Sequence, residues 1–75
     1  MSERECDELI KALRATLSRM VMYEQFYTML RSMESMVGPY DRKAFEELAE
    51  RVAKRAEDEA TYLEGYLKRL PKVCR

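Results

Sequence analysis

The sequence contains no histidine, no tryptophan and no asparagine, and glutamine occurs only at Gln25. Without histidine, a helical bundle lacks the Glu-x-x-His pairs that help to hold two irons in such folds, and no imidazole is present to activate a cysteine. We therefore expect no enzyme activity, no metal and no cofactor. The acids nearest to the apolar faces are Glu24, Glu34 and Glu59. The missing asparagine and the dense charge resemble hyperthermophile composition, although six methionines do not.

Net charge and long apolar runs are also missing. The 14 basic and 14 acidic residues balance, so no overall field attracts nucleic acid or an anionic membrane. The most apolar stretch, residues 20–37, is interrupted by Glu24, Gln25, Arg31 and Glu34, which argues against a transmembrane span. The first residues lack a basic segment followed by an apolar run, so we expect no secretory signal peptide. The sequence predicts a cytoplasmic protein with no membrane partner.

Glycine and proline are scarce, and they stand side by side only at Gly38 and Pro39. Gly38 can close a helix in the left-handed conformation, Pro39 cannot continue one, and Asp41 can cap the next. Tyr40 and Phe45 then take the two positions of a hydrophobic staple at the start of the second helix. The sequence therefore predicts a turn at residues 37–41.

Apolar residues recur at spacings of three and four on both sides of this turn, which is typical of amphipathic helices. We predict helices over about residues 3–36 and 41–70, with Pro71 ending the second and a short tail at 71–75. The fold class is all-α: a long antiparallel two-helix hairpin, forming a single domain over residues 1–75. The inward residues of the second helix are mostly alanines, which face larger side chains of the first helix.

The first helix changes character halfway along its length. Up to Met20 its apolar side chains form one stripe, and after Met20 the apolar arc broadens to more than one side. Unbranched, polarisable methionine side chains suit an adaptable helix-binding surface. We predict that the hairpin dimerises into a four-helix bundle and acts as a small non-enzymatic interaction or scaffold module, with another helical protein as the alternative partner. The predicted interface residues are Met22, Phe26, Met29, Met33, Met36, Tyr40 and Phe45.

The two cysteines, Cys6 and Cys74, fall near opposite ends of the sequence and at nearly the same height in the predicted hairpin. A disulfide between them would clamp its open end. Three states stay open at this point: an intramolecular bridge, an intermolecular bridge and two free thiols. A cytoplasmic disulfide is ordinary in hyperthermophiles, so the bridge and the thermophilic composition are linked.

The remaining charges leave one alternative function. On the second helix, glutamates precede basic residues by four positions, as in Glu50 with Lys54 and Glu64 with Lys68, which indicates a solvated face of ion pairs. A basic cluster at the C-terminal end could instead contact phosphates, making the hairpin a nucleic-acid-binding regulator. This cluster consists of Lys68, Arg69, Lys72 and Arg75.

Overall fold

The computed structural model describes residues 3–74, which form two long α-helices and a short turn. Helix α1 spans Glu3–Glu34 and helix α2 spans Pro39–Val73. The helices are antiparallel, since Cys6 meets Cys74 at one end and Glu34 meets Arg42 at the other. The molecule is a rod 57 Å long and 14 by 12 Å in cross-section. The predicted all-α helical hairpin is confirmed.

The core is a single narrow seam between the two helices. Leu9, Leu13 and Leu30 are buried in α1, and Ala49 of α2 is 1% exposed. The other apolar side chains on the facing surfaces are half-buried or exposed. A helix with only one neighbour buries only the side chains on the line of contact, so much of each apolar arc stays in water. A core of this size leaves a small margin of stability.

The turn differs from the prediction in position and in conformation. Helix α1 ends at Glu34 and α2 begins at Pro39, so the connection is residues 35–38 instead of 37–41. Gly38 is extended, with φ −70° and ψ 168°, and stands at the N-cap of α2. The prediction of a left-handed Gly38 is therefore wrong. Pro39 occupies the first helical position, where a missing N–H costs nothing and the fixed φ suits a helix.

The earlier start of α2 also corrects the predicted cap and staple. Asp41 lies in the first turn of α2, where its charge still suits the helix dipole, and no side chain caps the helix. Tyr40 is 92% exposed, so it does not form a staple with Phe45. The turn is held instead by Arg42, whose Nε donates to the carbonyl oxygen of Glu34 at 3.3 Å.

Helix α2 continues through Pro71 to Val73. The predicted helix end at residue 70 is therefore wrong, and residues 71–73 of the predicted tail at 71–75 are helical. Pro71 removes one helical hydrogen-bond donor. The next turn is nevertheless closed, because the backbone N–H of Cys74 donates to the carbonyl oxygen of Leu70 at 2.8 Å. The bond from Cys74 to Cys6 then holds this last turn against α1. Arg75 lies outside the described residues.

Candidate association surface

Five large apolar side chains form an exposed stripe near the turn, which we call the methionine stripe. Their exposed fractions run from 39% at Met33 to 81% at Met36. They are separated alternately by four and three residues, which is the spacing of the apolar seam of a coiled coil. The last of them lies just beyond α1, where the N–H of Met36 donates to the carbonyl oxygen of Met33 at 3.0 Å. The stripe consists of Met22, Phe26, Met29, Met33 and Met36.

Two serines near the methionine stripe, Ser32 and Ser35, already have hydrogen-bond partners. The Ser32 hydroxyl donates to the carbonyl oxygen of Thr28 at 2.9 Å, and the Ser35 hydroxyl donates to that of Ser32 at 3.0 Å. These donors would stay satisfied if another helix covered them, so burying this flank costs less than burying free hydroxyls. The surface around the stripe is therefore suited to losing its water.

An ion pair marks one edge of the hairpin, which we call the ion-pair edge. Arg19 Nε donates to Glu59 Oε1 at 2.7 Å, and Arg19 Nη2 donates at 3.3 Å to the hydroxyl oxygen of Thr16, which is fully buried. This hydrogen bond to Glu59 raises the pKa of Arg19 above its ordinary value, so the guanidinium remains charged at any ordinary pH. Glu59 Oε2 is buried and has no hydrogen-bond partner among the described residues.

Leu48 extends the apolar surface from α1 onto α2, and the sequence reasoning missed it. Leu48 is 46% exposed and lies eleven residues, about three helical turns, before Glu59, so it points to the ion-pair edge. Phe26 lies seven residues after Arg19 and points to the same edge. Placing Leu48 beside the stripe requires knowing which residues of α2 lie level with which residues of α1. The sequence does not give this alignment until one pair of facing residues is known. The stripe and Leu48 together form the candidate association surface.

The two other predicted interface residues stand apart from the stripe. Tyr40 is 92% exposed in the first turn of α2, beside the turn and free of packing. Phe45 is half-buried and lies one helical turn before the buried Ala49, so it points toward α1. Tyr40 therefore adds exposed surface at the turn end, whereas Phe45 belongs mainly to the seam within the hairpin.

The acids near the apolar faces are engaged in ion pairs where they are buried. Glu34 is 9% exposed and its carboxylate lies 3.1 Å from Nη1 of Arg31, whose guanidinium also lies 6.0 Å from the centre of the Tyr27 ring. Glu24 is exposed. Within residues 3–74, no group of three or more acidic or cysteine side chains converges to hold a metal ion.

The open end of the hairpin carries the disulfide and the basic cluster. Cys6 and Cys74 are bonded, with Cα atoms 5.0 Å apart, so the intramolecular bridge is the state found. Of the basic cluster, Arg69 lines a cleft together with Glu5 and Glu8 of α1. Lys68 and Lys72 are exposed. Acids on α1 thus share the surface that a phosphate would have to approach.

No helix in the described part of the chain is both long and apolar enough to cross a membrane. The chain was also compared with known proteins. No protein-family model, curated protein or solved structure matches it. Function must therefore be argued from the chain's own surfaces.

Proposed function

We propose that this protein is a non-enzymatic interaction module that works as a homodimeric helical bundle, with the methionine stripe and Leu48 at the centre of the interface. The observation that carries the proposal is a coiled-coil spacing of large apolar side chains that stay 39–81% exposed in the hairpin. Scattered exposed apolar residues need no explanation, but a contiguous apolar patch marks an interaction site.

The size of the surface supports a dimer. A large side chain presents about 150–200 Å² when fully exposed, so the fractions of 39% to 81% leave roughly 500 Å² of apolar surface on the stripe and Leu48. Because about 57% of an interface area is apolar, this corresponds to about 900 Å² per partner. A standard interface buries about 800 Å² per partner. Two copies of this surface are therefore sufficient for a specific dimer.

The chemistry of the surface favours a partner like itself. The stripe has no charged member, and the charges on either side of it are paired: Arg19 with Glu59 at the ion-pair edge, and Arg31 with Glu34. A second copy offers the same apolar seam and the same satisfied hydroxyls, so a two-fold contact leaves no unpaired charge. Another helical protein would need an equally uncharged face.

We also propose that the protein is cytoplasmic and that its source is thermophilic, as the sequence predicts. An intramolecular disulfide in a cytosolic protein is ordinary in hyperthermophiles and rare elsewhere.

Sedimentation of the purified chain at about 10–100 μM tests the dimer. We expect the wild type at twice its chain mass of 8.9 kDa. Met29→Glu should raise the dissociation constant at least 100-fold, because it would bury an unpaired carboxylate in the middle of the stripe. Met29→Leu should stay dimeric, since it keeps volume and apolarity.

The matched control is Val21→Glu, which puts the same charge on an α1 residue that is 54% exposed but lies outside the stripe. It should leave the dimer intact. A folded, monomeric wild type would refute the dimer. A dimer that survives Met29→Glu would show that another surface makes the contact.

A further inference from the structure

A second apolar surface lies on the opposite edge of the hairpin, in a trough between the two helices. It has a volume of about 510 Å³ and is almost entirely apolar. Large side chains of α1 form one wall. The α2 wall consists of Ala53, Ala56 and Glu57, and the two alanines are too small to fill the space. Leu17 and Val21 remain 47% and 54% exposed beside it. The alanines that let the helices approach thus leave an unfilled groove.

The trough is separate from the surface proposed for dimerisation. Val21 lies two residues after Arg19, and Glu57 lies two residues before Glu59. Two residues correspond to about 200° around a helix, so Val21 and Glu57 point away from the ion-pair edge. Met22 points about 100° away from Val21, on the outer side of α1. Occupation of the trough therefore does not compete with contact through the methionine stripe.

Glu57 of α2 lines the trough and belongs to a row of unpaired glutamates along that helix. Glu50, Glu57 and Glu64 follow one another at intervals of seven residues, so they lie on the same side of the helix. The predicted pairs within α2 do not form: Lys54 Nζ lies 3.4 Å from Asp58 Oδ1, and no ion pair joins Glu50 or Glu64 to another described residue. Glu57 itself lines the trough, as does Glu24 of α1, which is unpaired within the described residues too.

We propose that the trough binds an amphipathic helix of another protein, with leucine-like side chains over Ala53 and Ala56 and a row of Lys or Arg facing the glutamates. In a coiled coil, apolar seam positions are flanked by charges that select the partner. Here Glu57 lines an apolar groove, and Glu50 and Glu64 lie one heptad to either side of it on the same side of α2. A basic row opposite them supplies one ion pair at each heptad.

The same charges disfavour the other occupants. A second copy placed in the trough by two-fold symmetry would bring one glutamate row against the other. An anionic membrane or a nucleic acid would be repelled in the same way. The acid row thus selects a basic helix over these alternatives, and it does so independently of the dimer proposed above.

The test uses two synthetic helical peptides of about 20 residues, a length that covers the roughly 21 Å from Glu50 to Glu64. Both carry leucines at seam positions, and the flanking positions are lysine in one and glutamate in the other. We expect the lysine peptide to bind at least tenfold more tightly than the glutamate peptide. Each of the three glutamates attracts a lysine of the first peptide and repels a glutamate of the second. Its affinity should fall between 50 and 500 mM salt, and methyl NMR shifts should map to Leu17 and Val21.

Three variants locate the binding. Val21→Glu and Glu57→Lys should each weaken the lysine peptide at least tenfold. Glu47→Lys makes the same charge change on another side of α2 and should have little effect. Met29→Glu should bind like the wild type, even if it is monomeric, which separates this proposal from the dimer.

Several results would overturn the proposal. One is equal affinity for the two peptides, and another is an effect of Glu47→Lys as large as that of Glu57→Lys. If Val21→Glu changed the sedimentation of the chain alone, a second copy would be filling the trough. Binding of anionic vesicles with no binding of the lysine peptide would assign the surface to a membrane.

Discussion

Reducing the disulfide between Cys6 and Cys74 opens a covalent ring whose ends are 68 residues apart in sequence. In the chain-entropy model, a closed loop of this length stabilises the fold by about 4 kcal/mol. A 75-residue domain typically has about 4–11 kcal/mol of unfolding free energy in total. Because only four apolar residues of the described range 3–74 are buried, this hairpin should lie in the lower part of that range. The disulfide therefore supplies a large share of the stability.

The expected result is a fall in melting temperature of about 15–30 °C, since each kcal/mol corresponds to about 4–8 °C for a domain of this size. The measurement is helical circular dichroism on heating, with and without a phosphine reductant. Protein concentration must be fixed, because association also shifts the melting temperature. The double variant Cys6→Ser, Cys74→Ser should melt like the reduced protein and should not respond to reductant.

The entropic reasoning would be refuted if oxidised and reduced protein melted within about 3 °C of each other. That result would mean that the open end contributes no constraint to the unfolded chain, or that the reduced unfolded chain stays compact. A response of the double variant to reductant would show that the reagent acts elsewhere.

Two further predictions concern α2 and its contact with α1. Gly65→Ala should raise the unfolding free energy by about 1 kcal/mol in urea denaturation, since a Cβ there meets nothing within 4 Å; a loss of stability would contradict an unobstructed site. Arg19→Met should destabilise the hairpin more than Arg19→Met combined with Glu59→Met, because the single change leaves the largely buried Glu59 carboxylate without its partner; the opposite order in a double-mutant cycle would contradict this account.

The fold could be predicted from the sequence because helix periodicity and the scarcity of glycine and proline point to the same answer. The boundaries could not. The sequence pattern predicts that Pro39 and Pro71 both stop a helix, whereas Pro39 begins α2 and Pro71 lies within it. A proline signals a nearby helix end without saying which side of it is helical. Pro71 lies in the last turn of α2, close to Cys74, whose bond to Cys6 is a tertiary contact that local propensity does not include.

The candidate surfaces were accessible to sequence reasoning only where they lie on one helix. The methionine stripe follows from the spacing within α1, and its side chains are exposed in the structure. Leu48 and the trough each depend on which residues of α2 lie level with α1. The glutamate row is visible in the sequence, but its spacing predicts that each glutamate pairs with a basic residue along α2. The sequence alone does not say which acid Lys54 pairs with, because Glu50 and Asp58 are each four residues away from it. In the structure Lys54 pairs with Asp58.

The shape of the hairpin explains why both surfaces exist together. Two helices provide one seam, and an α-helix with a broad apolar arc needs more than one neighbour to bury it. The arc of α1 is wide enough to reach the stripe on its outer side and Val21 on the trough edge, and α2 covers only the part between them. Each proposed partner would cover one of these exposed surfaces. The second copy would bring an uncharged surface to the stripe, and the other protein would bring a basic helix to the trough. The surfaces therefore differ in charge, so that one partner cannot take the place of the other.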